Sequence, residues 1–167
     1  MKRLSGLLVS TMWLMFLVVA LPAGGALGQT ARDLVGTWTW VSVENTRPDG
    51  TKVQLYGPNP KGVLIFDNSG RFFFLQARPG RPKFASNNRN EGTPEENKAT
   101  VQGSLAYSGT YSVSDKTLIF KIDTSTYPNA EGTEQKRTIT LTGDQLKYTN
   151  PSPTIGGTSE AVLKRVK

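Results

Sequence analysis

Leu34-Val35-Gly36-Thr37-Trp38-Thr39-Trp40 opens a β-strand with a Gly-x-Trp step. Its counterpart lies at the other end of the chain, where Glu160-Ala161-Val162-Leu163-Lys164-Arg165 reads as a last strand carrying a cation. Gly36 permits a tight backbone entry, and Trp38 is placed to plug the floor of a sheet closed on itself. Arg165 can stack on the indole face while its guanidinium bonds carbonyls of the first strand. Taken alone, Trp38 reads equally as an ordinary core aromatic; the matching last strand points to a small closed β-barrel.

Residues 1–28 have the layout of an export signal. Lys2 and Arg3 are followed by the apolar runs Leu7-Leu8-Val9 and Leu14-Met15-Phe16-Leu17-Val18-Val19-Ala20-Leu21, which soften into Pro22-Ala23-Gly24-Gly25-Ala26-Leu27-Gly28. Ala26 and Gly28 suit the two small-residue positions read at cleavage, so the cut is expected after Gly28. An uncleaved anchor is the alternative, because no charge falls between Arg3 and Arg32. Cleavage would leave residues 29–167 as one exported domain, periplasmic or secreted, with no stable membrane insertion.

Composition removes several chemistries. The 167 residues include no cysteine and no histidine. A disulfide and a lipoprotein anchor are therefore excluded, as are the commonest general base, the commonest metal ligand and any histidine-dependent triad. Lys and Arg outnumber Asp and Glu by 20 to 13, a formal charge of +7. No glycine-rich phosphate loop runs from a strand into a helix, and the remaining acids and bases recur at no spacing that compels a mechanism. No catalytic residue, metal or cofactor is assigned.

Period-2 alternation recurs along the rest of the chain. It predicts strands near residues 36–44, 51–56, 62–67, 70–77, 104–113, 116–123, 133–142, 145–150 and 158–166. Pro48-Asp49-Gly50, Asp67-Asn68-Ser69-Gly70, Ser114-Asp115 and Gly143-Asp144 supply tight turns between them. The expected fold is all-β, an antiparallel up-and-down barrel of about eight or nine strands. One short helix is predicted over 94–102. Thr93 caps it, Pro94 fits its first turn, Glu96 completes a capping box and Gly103 ends it. Residues 78–90, rich in Pro, Gly and Asn, read as a long loop.

Parity assigns faces. Leu105, Tyr107, Gly109, Tyr111 and Val113 share one side of their strand, Leu118, Phe120 and Ile122 one side of the next, and Arg137, Ile139 and Leu141 one side of a third. Arg137 is the exception in this apolar set.

Gly36-Thr37-Trp38 with Arg165 resembles the lipocalin and calycin barrels. Tyr56-Gly57-Pro58-Asn59-Pro60-Lys61-Gly62, Tyr107-Ser108-Gly109-Thr110-Tyr111-Ser112-Val113, and Tyr127-Pro128-Asn129 with Gly132-Thr133-Glu134-Gln135-Lys136-Arg137 look like the lipocalin-like domain family of bacteria and fungi. The resemblance spans about Leu34 to Arg165 and implies a barrel with an internal cavity. The chain departs from true lipocalins in lacking a Thr-Asp-Tyr motif, a C-terminal helix and the bridging disulfide. Where many relatives carry histidine, on the strand equivalent to Lys116–Asp123, it has Phe120 and Lys121, so histidine-dependent activity is not carried over.

A barrel of this size has room for side chains or one small ligand. Trp40, Phe74, Tyr107, Tyr111, Phe120 and Arg137 are the candidate lining, each aromatic being a core residue or a ligand contact. Arg137 must find a carboxylate, a carbonyl cluster or an anionic head group. Glu134, Glu44 and the Tyr127-Pro128-Asn129 loop are its internal alternatives. Arg71, Arg78, Arg81, Lys83 and Arg89 form a run without an acidic residue, either a solvated loop or a guide for anions. These features favour a carrier for a small apolar or amphipathic, anionic molecule. A lipocalin-like enzyme of isomerase or cyclase type and an envelope interaction protein remain as alternatives. Nucleic acid is a poor partner for an exported chain.

Overall fold

The computed structural model describes residues 29–167. The export signal expected over 1–28 lies outside the described residues.

Eight antiparallel strands close into a ring. They are β1 (Gly36–Thr46), β3 (Lys61–Phe66), β4 (Arg71–Ala77), β5 (Ser104–Ser114), β6 (Thr117–Ser125), β7 (Glu134–Thr142), β8 (Gln145–Asn150) and β9 (Thr158–Arg165). Each pairs with its neighbour in sequence, and β1 pairs with β9 from Trp38↔Arg165 to Thr46↔Thr158, which removes the sheet edge. The short extra strand β2 (Lys52–Gln54) adds to the far end of β1. The up-and-down order follows from the tight turns, since consecutive strands joined by a few residues can only run antiparallel.

Helix α2 (Pro94–Gly103) is the one helix of more than a single turn among the described residues; α1 (Ala31–Leu34) is one turn and Pro128–Ala130 a 3-10 turn. The predicted capping box forms. The Glu96 amide donates to Thr93 Oγ1 at 3.2 Å, and Glu96 Oε2 accepts from the Thr93 amide at 2.9 Å. The other carboxylate oxygen accepts from Ala85 N at 2.9 Å, so the same side chain ties the 78–90 loop to the helix.

Two ends follow from strand direction. The closed end holds α1, the turns at 67–70 and 143–144, and Arg165 over Trp38. There Gly36 has φ +129°, and a Cβ on it would come within 3.1 Å of Arg165 Nη1. The other end holds the loops after β1 and β2, the α2 segment, residues 126–133 and residues 151–157.

Between the ends runs a chain of aromatic contacts. Tyr111 packs on Phe66 (ring centroids 4.7 Å apart), Phe72 on Phe120 (4.3 Å), Tyr107 on Phe74 (4.1 Å) and Phe74 on Trp40 (5.0 Å). With Leu34, Leu64, Leu118, Ile139, Leu146 and Leu163 they fill the closed half. Each such burial contributes about 1.5–3 kcal/mol.

Simple alternation fails at one point in β1. The β1–β9 register shifts between Trp40 and Ser42, leaving Val41 as an exposed bulge residue. Parity reverses beyond it, so Val43 and Asn45 turn inward. Asn45 Nδ2 donates to Gly156 O at 3.0 Å and Ser159 Oγ at 3.1 Å, holding the 151–157 loop to the barrel. Glu44 turns outward and pairs with Lys52 at 2.9 Å.

A donor-lined cavity at the open end

The interior is not filled above the aromatic layer. A cavity of about 110 Å³ opens there, walled by Val43 of β1, Phe74 and Gln76 of β4, Leu105 and Tyr107 of β5, Gln135 and Arg137 of β7 and Tyr148 of β8. Its rim is Leu55, Tyr56, Tyr127, Ala130 and residues 152–155. Alternation along four strands converges these groups: Phe74 with Gln76, Leu105 with Tyr107, Gln135 with Arg137, and Leu146 with Tyr148 each face one way.

Arg137 points inward and is 5 % exposed. Nη1 donates to its neighbour's carbonyl, Lys136 O, at 2.9 Å, and Nη2 donates to Gln135 Oε1. The guanidinium carbon lies 6.0 Å from the Phe120 ring centroid and 5.9 Å from that of Tyr148. Neither carboxylate considered from sequence reaches it: the bulge turns Glu44 away, and Glu134 lies by Lys136 at 3.6 Å. Among the described residues Arg137 has no carboxylate partner, and no Asp, Glu or Lys lines the cavity.

Gln76 is 4 % exposed, and its Nε2 is buried without a hydrogen-bond partner. It faces Tyr148 and draws that phenol's pKa down, against the larger upward push of burial, without completing a hydrogen bond of good geometry. Burial pushes the Tyr148 and Tyr107 phenols well above the ordinary range, with the Arg137 guanidinium pulling both the other way. Both phenols are therefore neutral hydrogen-bonding groups at any physiological pH. Guanidinium, amide and two phenols together make a site that donates hydrogen bonds. It offers no group suited to abstracting a proton.

Residues 35–164 match the family described as Lipocalin-like domain. The chain belongs to that family. Within this lipocalin-like protein, 86 residues are 33 % identical to the 4'-hydroxy-3'-methoxypropiophenone carrier protein ppsC of Aspergillus oryzae (strain ATCC 42149 / RIB 40), covering 47 % of this chain and 78 % of that protein. Two solved structures are similar to this chain at low identity. A lipocalin-like protein from Bacteroides uniformis ATCC 8492 is 14 % identical with a TM-score of 0.44, over 80 % of this chain and 99 % of the other. An uncharacterized protein from Bacteroides eggerthii DSM 20697 is 15 % identical with a TM-score of 0.42, over 80 % and 100 %.

Of the six residues singled out from sequence, Phe74, Tyr107 and Arg137 meet at this cavity. Trp40 and Phe120 sit in the packed layer beside it. The Trp40 indole N–H donates to Leu75 O at 2.7 Å, and Phe120 packs between Phe66 and Phe72. Tyr111 shares parity with Tyr107 but lies four residues along β5, about 13 Å away at strand rise. That distance carries it to the closed end, where its hydroxyl donates to Asp67 O at 3.0 Å.

The residues missed were Gln76, Tyr148 and Tyr56. Period-2 reading from Phe72 and Phe74, and from Leu146, would have reached the first two; Tyr56 comes from a loop and carries no such signal. The 78–90 loop does not supply the mouth, since the rim comes from the other loops. The basic run from Arg71 to Arg89 is partly engaged: Arg71, on β4, pairs with Asp123 at 3.1 Å, and Arg78 Nη2 donates to Leu55 O at 2.8 Å.

Proposed function

We propose that this lipocalin-like protein is an exported carrier for a small amphipathic molecule that enters the open end of the barrel, its acceptor-bearing or anionic head against Arg137 and Gln76. The observation that carries this reading is the buried, unpartnered Gln76 Nε2 in a cavity that also holds a guanidinium without a carboxylate. A buried donor left unpaired costs about 1–3 kcal/mol, and a guest oxygen placed there would recover it.

The volume limits the head group. A dry engineered cavity of about 150 Å³ takes up benzene, so about 110 Å³ encloses only the polar end of a substituted ring, the rest projecting past the rim. The relative named as a carrier of a phenolic aryl ketone supports a head of that kind. Calorimetric titration of the purified protein with 4'-hydroxy-3'-methoxypropiophenone should give one site with a dissociation constant near the micromolar range, about −8 kcal/mol. Absence of saturable heat with this compound and with benzoate and short fatty acids would refute the carrier reading. Export is tested separately: expression of the full chain in a Gram-negative host should yield periplasmic protein beginning at Gln29. Cytoplasmic protein retaining residues 1–28 would refute that part.

A further inference from the structure

Outside the rim lies a second, larger hollow of about 560 Å³, lined by Thr100, Val101 and Gln102 of α2, Ser104 and Thr126. Five further residues, Tyr56, Leu105, Tyr127, Thr154 and Ile155, line both this groove and the inner cavity. The two spaces are therefore adjacent and share part of their lining.

The groove's composition is unusual for this chain. The protein carries 20 basic and 13 acidic side chains, yet none of them lines the groove. Val101 is 72 % exposed, Ile155 60 % and Tyr127 40 %, so three of the seven large apolar side chains most open to water among the described residues gather around one opening. The charged residues of α2, Glu95, Glu96 and Lys98, fall in its first half; the turn that reaches the groove is Thr100-Val101-Gln102. Grouped exposed apolar side chains of this kind mark a surface built to be covered.

We infer that the groove holds the apolar tail of the same guest whose head occupies the inner cavity, so that the ligand class is a ring or small anionic head bearing an extended hydrocarbon chain. The inference rests on the carrier reading above and adds to it where the tail goes and what selects its length. The inner cavity is too small for a whole amphiphile, the groove shares five lining residues with it, and the groove's uncharged wall suits methylene groups. Tyr127 and Ile155 line both spaces, placing the head-to-tail junction beside them.

The test uses a homologous series of 4-hydroxyphenyl alkyl ketones, acetyl through octanoyl, titrated calorimetrically into the purified protein. Affinity should rise about two- to four-fold per added methylene over several steps, the upper figure being full burial of each group. In the double variant Val101→Asp/Gln102→Asp, at positions that line the groove and not the inner cavity, the acetyl compound should keep its affinity while the rise with chain length disappears. Both positions are solvent-exposed, and Val101→Ser/Gln102→Ser serves as a milder pair should the aspartates disturb folding. Binding of the acetyl compound with no chain-length dependence in the wild type would overturn the groove assignment and leave the carrier reading standing. A dependence that survives both double variants would likewise overturn the assignment. Failure of every member to bind would overturn both.

Discussion

The guanidinium of Arg165 lies 4.2 Å from the centroid of the Trp38 indole, and its two terminal nitrogens donate to the carbonyls of Val35 and Asp33. One side chain from the last strand thus covers the floor of the barrel and fastens the segment that enters the first. The Trp38 indole N–H adds a bond to Leu34 O at 2.8 Å. Arg165→Ala should lower unfolding free energy by about 2–3 kcal/mol, read as a shifted denaturant midpoint. Arg165→Lys should recover less than half of this, because an ammonium cannot fork between two carbonyls. A midpoint unchanged by the alanine would show that the seam closes without this residue.

Gly109 leaves no room for a side chain between β5 and β6. A Cβ there would stand 1.9 Å from Lys121 O, at the point where the register shifts between Ser108 and Gly109. Gly109→Ala should cost about 1–3 kcal/mol through displacement of the neighbouring strand. Thermal unfolding of the variant checks this, and an unaltered transition would mean that the bulge absorbs a methyl group freely.

Burial holds the Tyr107 and Tyr148 phenols neutral in the fold and pushes their pKa well above the ordinary 10.0 of a free phenol. Such groups favour the folded state fully below pH 10.0, and their contribution is lost as pH rises above it, because the unfolded chain ionises first. Stability measured from about pH 9 to 12 should fall for the wild type and fall less steeply for Tyr148→Phe. Equal slopes for the two proteins would contradict the buried, neutral assignment of Tyr148.

Much of this fold was legible because alternation and turn chemistry agree. The eight ring strands, the helix beginning at Pro94 and the Trp38–Arg165 contact all follow from residue patterns that local physics makes specific. The reversal of parity in β1 was not legible. Nothing in Val41-Ser42-Val43-Glu44 marks a bulge, which is set by pairing with β9 across the whole chain. That one residue decides that Glu44 faces water and cannot neutralise Arg137. The site was half legible for a related reason: parity states which way a side chain points, but depth along the barrel separates Tyr107 from Tyr111. The two short turns at Ala31–Leu34 and Pro128–Ala130 are stabilised by tertiary packing, so their sequences give little warning.

Because Arg137 is not one half of a buried ion pair, its removal strands no opposite charge. Arg137→Met should fold with a loss below about 2 kcal/mol, in contrast to the 3–5 expected when a buried pair is broken. Its affinity for an anionic probe such as benzoate should fall at least about ten-fold, the weight of one charge-assisted hydrogen bond. A variant that fails to fold, or that binds benzoate as the wild type does, would return Arg137 to a purely structural role.

The most direct test of the account is where a guest sits. In ¹⁵N-labelled protein titrated with 4-hydroxyacetophenone, the Gln76 side-chain amide and the Arg137 Nε signals should shift together and saturate at one equivalent, while the Trp38 indole N–H at the closed end stays fixed. A saturable shift at Trp38 with none at Gln76, or no saturable shift anywhere, would contradict the claim that the open-end cavity is the binding site.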